Sequence, residues 1–121
     1  IGFSPDCFVD GGVTPFPLTD GSKIPLKHSL FDNDAIVLTH TPKTVSLKSD
    51  RGTRRVTVSY PDMDYIGFWH ATLTEAPYVC IEPWSSLPSR QGIVEDLSTQ
   101  PGLKSLKAGG VYRNSWSIEI H

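Results

Sequence analysis

The chain has 121 residues, of which 38% are apolar and 20% are charged, so it has the size of one domain or of part of a larger one and is not a disordered chain. Its formal net charge of -2 at pH 7 favours neither nucleic acid nor an anionic membrane surface as a partner. No stretch approaches the roughly 20 apolar residues that a membrane span needs.

The first 25 residues are rich in proline and glycine, which predicts loops and edge segments rather than central strands. These residues make up about a fifth of the chain and are expected mainly to connect other elements. Since the chain also begins with Ile1 rather than methionine, we expect a fold that is incomplete without another segment.

Short runs rich in β-branched and aromatic residues follow, and none has a helical period. The runs "VSLKS", "RRVTVSY" and "SWSIEI" alternate between apolar and polar residues, so each is expected to bury one face. Asp50, Arg51 and Gly52 predict a hairpin turn. One helical turn is expected in "VEDLSTQPG". The pattern predicts an all-β fold, an antiparallel β-sandwich. The predicted strands span 35–39, 44–48, 54–60, 66–71, 78–81 and 112–120.

The sequence predicts neither a disulfide nor a metal site. Its two cysteines could form one disulfide, but Cys80 lies in an apolar run, so we expect Cys7 and Cys80 to be free thiols. No two histidines have the spacing of metal ligands. The turn 32–34, "DND", lacks the later glutamate of a calcium loop. No metal site is therefore expected.

The most apolar run, "YVCIEPW", ends in a carboxylate, Glu82. Alternation along the strand puts Cys80 and Glu82 on one face and Val79 and Ile81 on the other. A half-buried carboxylate can act as a general base near neutral pH, and Trp84 could take the apolar face of a sugar while the carboxylate binds a hydroxyl. The alternative is a surface glutamate at a strand end beside an ordinarily packed tryptophan.

Three blocks of the sequence closely resemble the C-terminal half of aldose 1-epimerase-like proteins, the galactose mutarotase superfamily, with the LacX-type branch nearest. They are "IPLKHSLFDNDAIVL", "YIGFWHATLTEAPYVCIEPW" and "LKAGGVYRNSWSIEI". The resemblance implies that residues 1–121 are the C-terminal portion of one galactose mutarotase-like supersandwich domain, whose N-terminal half lies outside this chain. It also implies a cytoplasmic enzyme that interconverts the α and β anomers of an aldose without a cofactor.

The resemblance assigns roles to three residues. Glu82 matches the catalytic base that takes the proton from the C1 hydroxyl, while a histidine protonates the ring oxygen. Asp34 matches a position that binds sugar hydroxyls, and Trp84 is expected beside the same sugar. After "EPW" the branch often has a glycine and an acidic residue, but this chain has "SSLPSR", so the rim of the sugar site departs from the family.

The family's histidine motif, "GHPAF", has no counterpart in this sequence. Either the chain is a piece of a longer enzyme, or it is a half-length relative without activity. In the first case, which the start of the chain favours, its partners are the small-molecule sugar and the N-terminal half of the same enzyme. The chain could also be a non-catalytic carbohydrate-binding module that uses Asp34 and Trp84, or a purely structural sandwich domain.

Overall fold

A computed structural model describes all 121 residues and shows a nearly all-β chain with two antiparallel sheets. The predicted fold class is confirmed. The only helical element is a 3₁₀ helix, His28–Phe31, which is far too short to cross a membrane. The strands are β1 (Ile36–Thr39), β2 (Thr44–Lys48), β3 (Arg55–Ser59), β4 (Tyr65–Trp69), β5 (Cys80–Trp84) and β6 (Ser117–Ile120).

Each sheet has three strands, in the orders β1-β4-β5 and β2-β3-β6. The predicted hairpin is confirmed, since β2 and β3 pair from Thr44 opposite Ser59 to Lys48 opposite Arg55. Alternation sends Val56 and Val58 inward, whereas the hydroxyls of Ser46 and Thr57 lie 3.0 Å apart on the outer face.

Three strands differ from the sequence predictions by two residues or more, and β4 is one of them, since it ends at Trp69 rather than at residue 71. Strand β5 runs on through Pro83, because β5 is an edge strand and can tolerate a residue without an N–H. Strand β6 begins only at Ser117, since Ser115 is bound instead to the carboxylate of Asp62 through its N–H and hydroxyl. The predicted helical turn is present as one turn, in which the carbonyl of Asp96 accepts the N–H groups of Thr99 and Gln100.

The core lies between the two sheets and is small. Ten of the 121 residues are buried, and the central cluster joins β3 to β4 and the turn between them. Its buried members are Val58, Tyr60, Met63 and Ile66, with Leu38, Val45, Val56, Phe68 and Ile81 packed around them.

The chain exposes 8869 Å² of surface, whereas a compact monomer of its mass exposes roughly 6,500 Å². Strand β6 contributes to this excess, since Ile118 is 53% and Ile120 is 82% exposed. The prediction that these strands pair with another segment or chain stays a prediction. Cys7 and Cys80 are free, as predicted.

Candidate functional site

The three sequence-predicted site residues line one cleft of about 860 Å³. Glu82 and Trp84 reach it from β5, and Asp34 reaches it from the turn that precedes β1. Trp69, the last residue of β4, completes the aromatic part of the wall. The sequence predicted these three residues at one site, and the structure brings all three to the same concave surface.

Glu82 and Trp84 lie on the same face of β5 because they are two residues apart. The indole Nε1–H of Trp84 donates a hydrogen bond to Oε2 of Glu82 at 3.2 Å. Both side chains are half-buried. The carboxylate is therefore held in one orientation by its neighbour, while its other oxygen has no hydrogen bond within the protein.

Asp34 is held by both of its carboxylate oxygens. Oδ1 accepts the N–H of Ala35 at 2.8 Å, and Oδ2 accepts the thiol of Cys7 at 3.4 Å. Its backbone is left-handed, with φ of 77°, a conformation that aspartate tolerates better than most residues. The N–H of Asp34 also donates to the carbonyl of Phe31 at 3.1 Å.

The N-terminal loop forms the wall of the cleft that sequence reasoning missed. Phe3 and Val9 form an antiparallel bridge that closes the loop, and Ser4 inside it is 9% exposed. The N–H of Val9 donates to the carbonyl of Ser89 at 3.0 Å, and the N–H of Gln91 donates to the carbonyl of Val9 at 2.9 Å. The loop is thus fixed to the segment that follows β5.

No local pattern in the sequence could have identified this wall. Phe3, Ser4, Pro5 and Cys7 line the cleft, but they belong to a segment whose composition predicts only loop. The link between Cys7 and Asp34 spans 27 positions of the chain, so only the tertiary fold brings them together.

The thiol of Cys7 acts as a donor rather than as a nucleophile. Its hydrogen bond to the carboxylate of Asp34 raises the pKa of Cys7, and desolvation and the negative charges of Asp34 and Asp6 raise it further. A thiol with a raised pKa is protonated near neutral pH and reacts weakly. Cys7 therefore helps to orient Asp34.

No histidine, lysine or arginine lines the cleft, whereas the carboxylates of Asp32, Asp34 and Glu82 do. His28 and His70 contact each other at 3.4 Å but do not line it. No group of three or more His, Cys, Asp or Glu side chains in the structure is arranged to hold a metal ion. The cleft thus offers a candidate base and hydroxyl-binding groups, but no imidazole acid.

No family model matches the chain. The chain is 28% identical over 108 residues to two LacX proteins of Lactococcus lactis subsp. lactis, one plasmid and one chromosomal. These matches cover 88% of this chain and 36% of each relative.

The structure also resembles the crystal structure of a galactose mutarotase-like protein from Lactobacillus casei ATCC 334, with a TM-score of 0.72 and 26% identity. That match covers 91% of this chain and 41% of the other. The chain therefore spans well under half the length of the proteins that it matches. It is homologous to the LacX proteins and has a galactose mutarotase-like sandwich fold, which is consistent with the LacX-type branch of the aldose 1-epimerase superfamily.

Proposed function

We propose that this chain forms part of an aldose 1-epimerase-like isomerase that interconverts the α and β anomers of a sugar. The observation that carries the proposal is the cleft in which Glu82, oriented by the indole of Trp84, shares one surface with Asp34. The homology to LacX proteins and the galactose mutarotase-like fold support the same chemistry.

In this proposal Glu82 is the general base. Its carboxylate takes the proton of the C1 hydroxyl as the bond between C1 and the ring oxygen breaks, and an acid protonates that oxygen. Rotation about C1–C2 and reclosure on the other face of the carbonyl give the opposite anomer and return both protons. No electrons are transferred to another molecule, so the reaction needs no cofactor.

The remaining groups of the cleft bind the sugar. Trp84 offers an aromatic face to the C–H groups of the ring, and the carboxylate of Asp34 accepts hydrogen bonds from hydroxyls. The volume of about 860 Å³ is within the usual range for small-molecule sites, roughly 300–1,000 Å³. Because the lining residues include three carboxylates and no lysine or arginine, we propose an uncharged sugar rather than a sugar phosphate.

We propose that the acid comes from a segment outside this chain, the N-terminal half of the enzyme. No histidine lines the cleft, and the chain covers 36% of the LacX proteins and 41% of the galactose mutarotase-like protein. Residues 1–121 alone are then inactive. The free thiols Cys7 and Cys80 agree with the cytoplasmic location that we propose for the enzyme.

The second candidate function is a carbohydrate-binding module without catalysis, which the lack of a histidine in the cleft favours. Polarimetry on freshly dissolved α-aldose, with the complete polypeptide that contains this chain, separates the two. Faster approach to anomeric equilibrium supports the isomerase. Sugar binding without any acceleration of mutarotation supports the binding module and contradicts the isomerase.

A further inference from the structure

Two histidines contact each other at the 3₁₀ helix that precedes the turn with Asp34. His70 follows β4 immediately and is 2% exposed. His28 opens the 3₁₀ helix His28–Phe31, and its Nδ1 lies 3.4 Å from Nε2 of His70. The pair thus joins the 3₁₀ helix to the end of β4 by a polar contact that reaches into the protein interior.

The same imidazole also packs against Phe31, which closes the 3₁₀ helix. The ring centroids of Phe31 and His70 are 4.8 Å apart at an interplanar angle of 65°, an edge-to-face arrangement that aromatic rings favour. Phe31 is 2% exposed. His70 therefore contacts both ends of the 3₁₀ helix, one through a hydrogen bond and the other through its ring.

The 3₁₀ helix leads straight into the cleft. The carbonyl of Phe31 accepts the N–H of Asp34 at 3.1 Å, and Asp34 lines the cleft. On the β4 side of the histidine pair, Trp69 precedes His70 and also lines the cleft. A shift of the 3₁₀ helix relative to β4 would therefore change the distance between Asp34 and the aromatic wall.

Glu75 extends the contacts of the pair toward solvent, since its Oε2 lies 3.4 Å from Nε2 of His28. The direction of the hydrogen bond between Nδ1 of His28 and Nε2 of His70 depends on the tautomers of the two rings. The remaining nitrogen of His70, Nδ1, is buried without a partner. Burying an unpaired nitrogen is costly, which is unexpected if this side chain serves only as core packing.

We propose that His70 is a positioning residue for the sugar site. It holds the 3₁₀ helix through His28 and Phe31, and so fixes the turn that presents the carboxylate of Asp34 to the cleft. The inference rests on the proposed function, in that Asp34 is taken to bind the sugar. His70 does not touch the sugar itself, since it does not line the cleft.

Two substitutions in the complete polypeptide separate the two contacts of His70. His70→Phe keeps a ring against Phe31 and removes the hydrogen bond to His28, whereas His70→Gln keeps an amide near the position of Nε2 that can donate or accept. For the uncharged aldose, His70→Phe should raise KM about tenfold, the effect of losing one modest interaction, with kcat within about threefold. In the separate variant His70→Gln, KM should stay within about threefold of the wild-type value. His40→Asn, at an exposed histidine with φ of 55°, is the matched control and should change neither constant.

A double-mutant cycle tests whether the effect acts through Asp34. In an Asp34→Asn background, His70→Phe should raise KM much less than in the wild type, since residues that act together are not additive. An equal rise in both backgrounds, or no rise in the wild type, overturns the proposal. If His70→Phe does not fold, His28→Leu takes its place in the double-mutant cycle. This substitution breaks the same hydrogen bond at His28, the more exposed member of the pair.

Amide hydrogen exchange gives a readout that does not depend on catalysis. The N–H of Ala35 is bonded to Oδ1 of Asp34, so release of the turn should speed its exchange about tenfold or more in His70→Phe, but not in His40→Asn. If the wild type does not accelerate mutarotation, the proposed isomerase function fails while exchange still decides the positioning role. Unchanged exchange of Ala35 in His70→Phe overturns that role.

Discussion

Gly67 lies directly opposite Glu82 in the pairing of β4 and β5, and a methyl group on Gly67 would come within 3.4 Å of Oε2 of Glu82. The same methyl group would lie 3.4 Å from Cε2 of Trp84. The hydrogen-bonded pair of Glu82 and Trp84 therefore fills the space that glycine leaves on the neighbouring strand. A larger side chain on Gly67 has to displace the carboxylate or the indole.

The size of residue 67 should therefore control activity more than stability. We expect Gly67→Ala to fold with a free energy of unfolding within about 1 kcal/mol of the wild type, because alanine is favoured over glycine inside a strand. Gly67→Leu should lower kcat at least about tenfold by displacing Glu82. The control is Gly52→Leu, where nothing lies within 4 Å of the added Cβ. Wild-type kcat in Gly67→Leu would contradict this packing account.

The indole N–H of Trp84 is expected to orient the base. Trp84→Phe keeps an aromatic face for the sugar but removes the donor to Oε2 of Glu82. We expect kcat to fall roughly fivefold to tenfold, the effect of about 1 kcal/mol in one hydrogen bond, with KM little changed. Trp84→Ala should in addition raise KM. Steady-state polarimetry separates these effects, and an unchanged kcat in Trp84→Phe would show that the hydrogen bond has no part in catalysis.

The reactivity of Cys7 should report on Asp34. The hydrogen bond to Asp34 raises the pKa of Cys7 above the ordinary value of 9.0, so the protein holds the thiol in its protonated, unreactive form. Asp34→Asn removes the carboxylate and should lower that pKa, which speeds alkylation by iodoacetamide at pH 8. The pH midpoint of the alkylation rate should lie above 9.0 in the wild type and fall in the variant.

This measurement is best made in a Cys80→Ser background, so that a single thiol is followed. Sugar should slow alkylation further, since Cys7 and Asp34 line the same cleft. Equal alkylation rates with and without the carboxylate of Asp34 would mean that the hydrogen bond to Cys7 does not form in solution.

Residues 1–121 alone are expected not to form a stable monomer. Their surface of 8869 Å² exceeds the roughly 6,500 Å² of a compact protein of this mass, and all four residues of the edge strand β6 are exposed. Exposed apolar strand edges associate with other chains. The isolated segment should therefore aggregate or give a poorly dispersed amide NMR spectrum. A compact monomer with sharp, dispersed signals would refute this prediction.

Alternation identified β2 and β3 well: β2 alternates between exposed and half-buried residues, and in β3 Val58 is buried while its neighbour Thr57 is half-buried. Alternation failed at β5, because Pro83 is typical of a strand end. Since β5 is an edge strand, a residue without a backbone N–H can lie within it. Alternation also gave no hint of the 3₁₀ helix His28–Phe31. That element depends on the packing of Phe31 and His70, which no local pattern encodes.

The candidate site, like the fold, could be predicted from the sequence only in part. Glu82 and Trp84 could be paired from sequence because residues two apart on a strand share a face. Asp34 was reached by family resemblance rather than by pattern, since aspartate in a turn is common without any function. The contact from Cys7 could not be predicted, because it joins two loops that only the tertiary fold brings together.

The most direct test of the central proposal is the mutarotation rate of Glu82→Gln in the complete polypeptide, measured by polarimetry on freshly dissolved anomer. Glutamine has nearly the same shape as glutamate, so circular dichroism should show an unchanged fold, and sugar affinity should change little, since other groups share the binding. We expect kcat to fall roughly 10²–10⁴-fold, the usual contribution of a positioned acid or base. A wild-type rate of mutarotation in this variant would show that Glu82 is not the base.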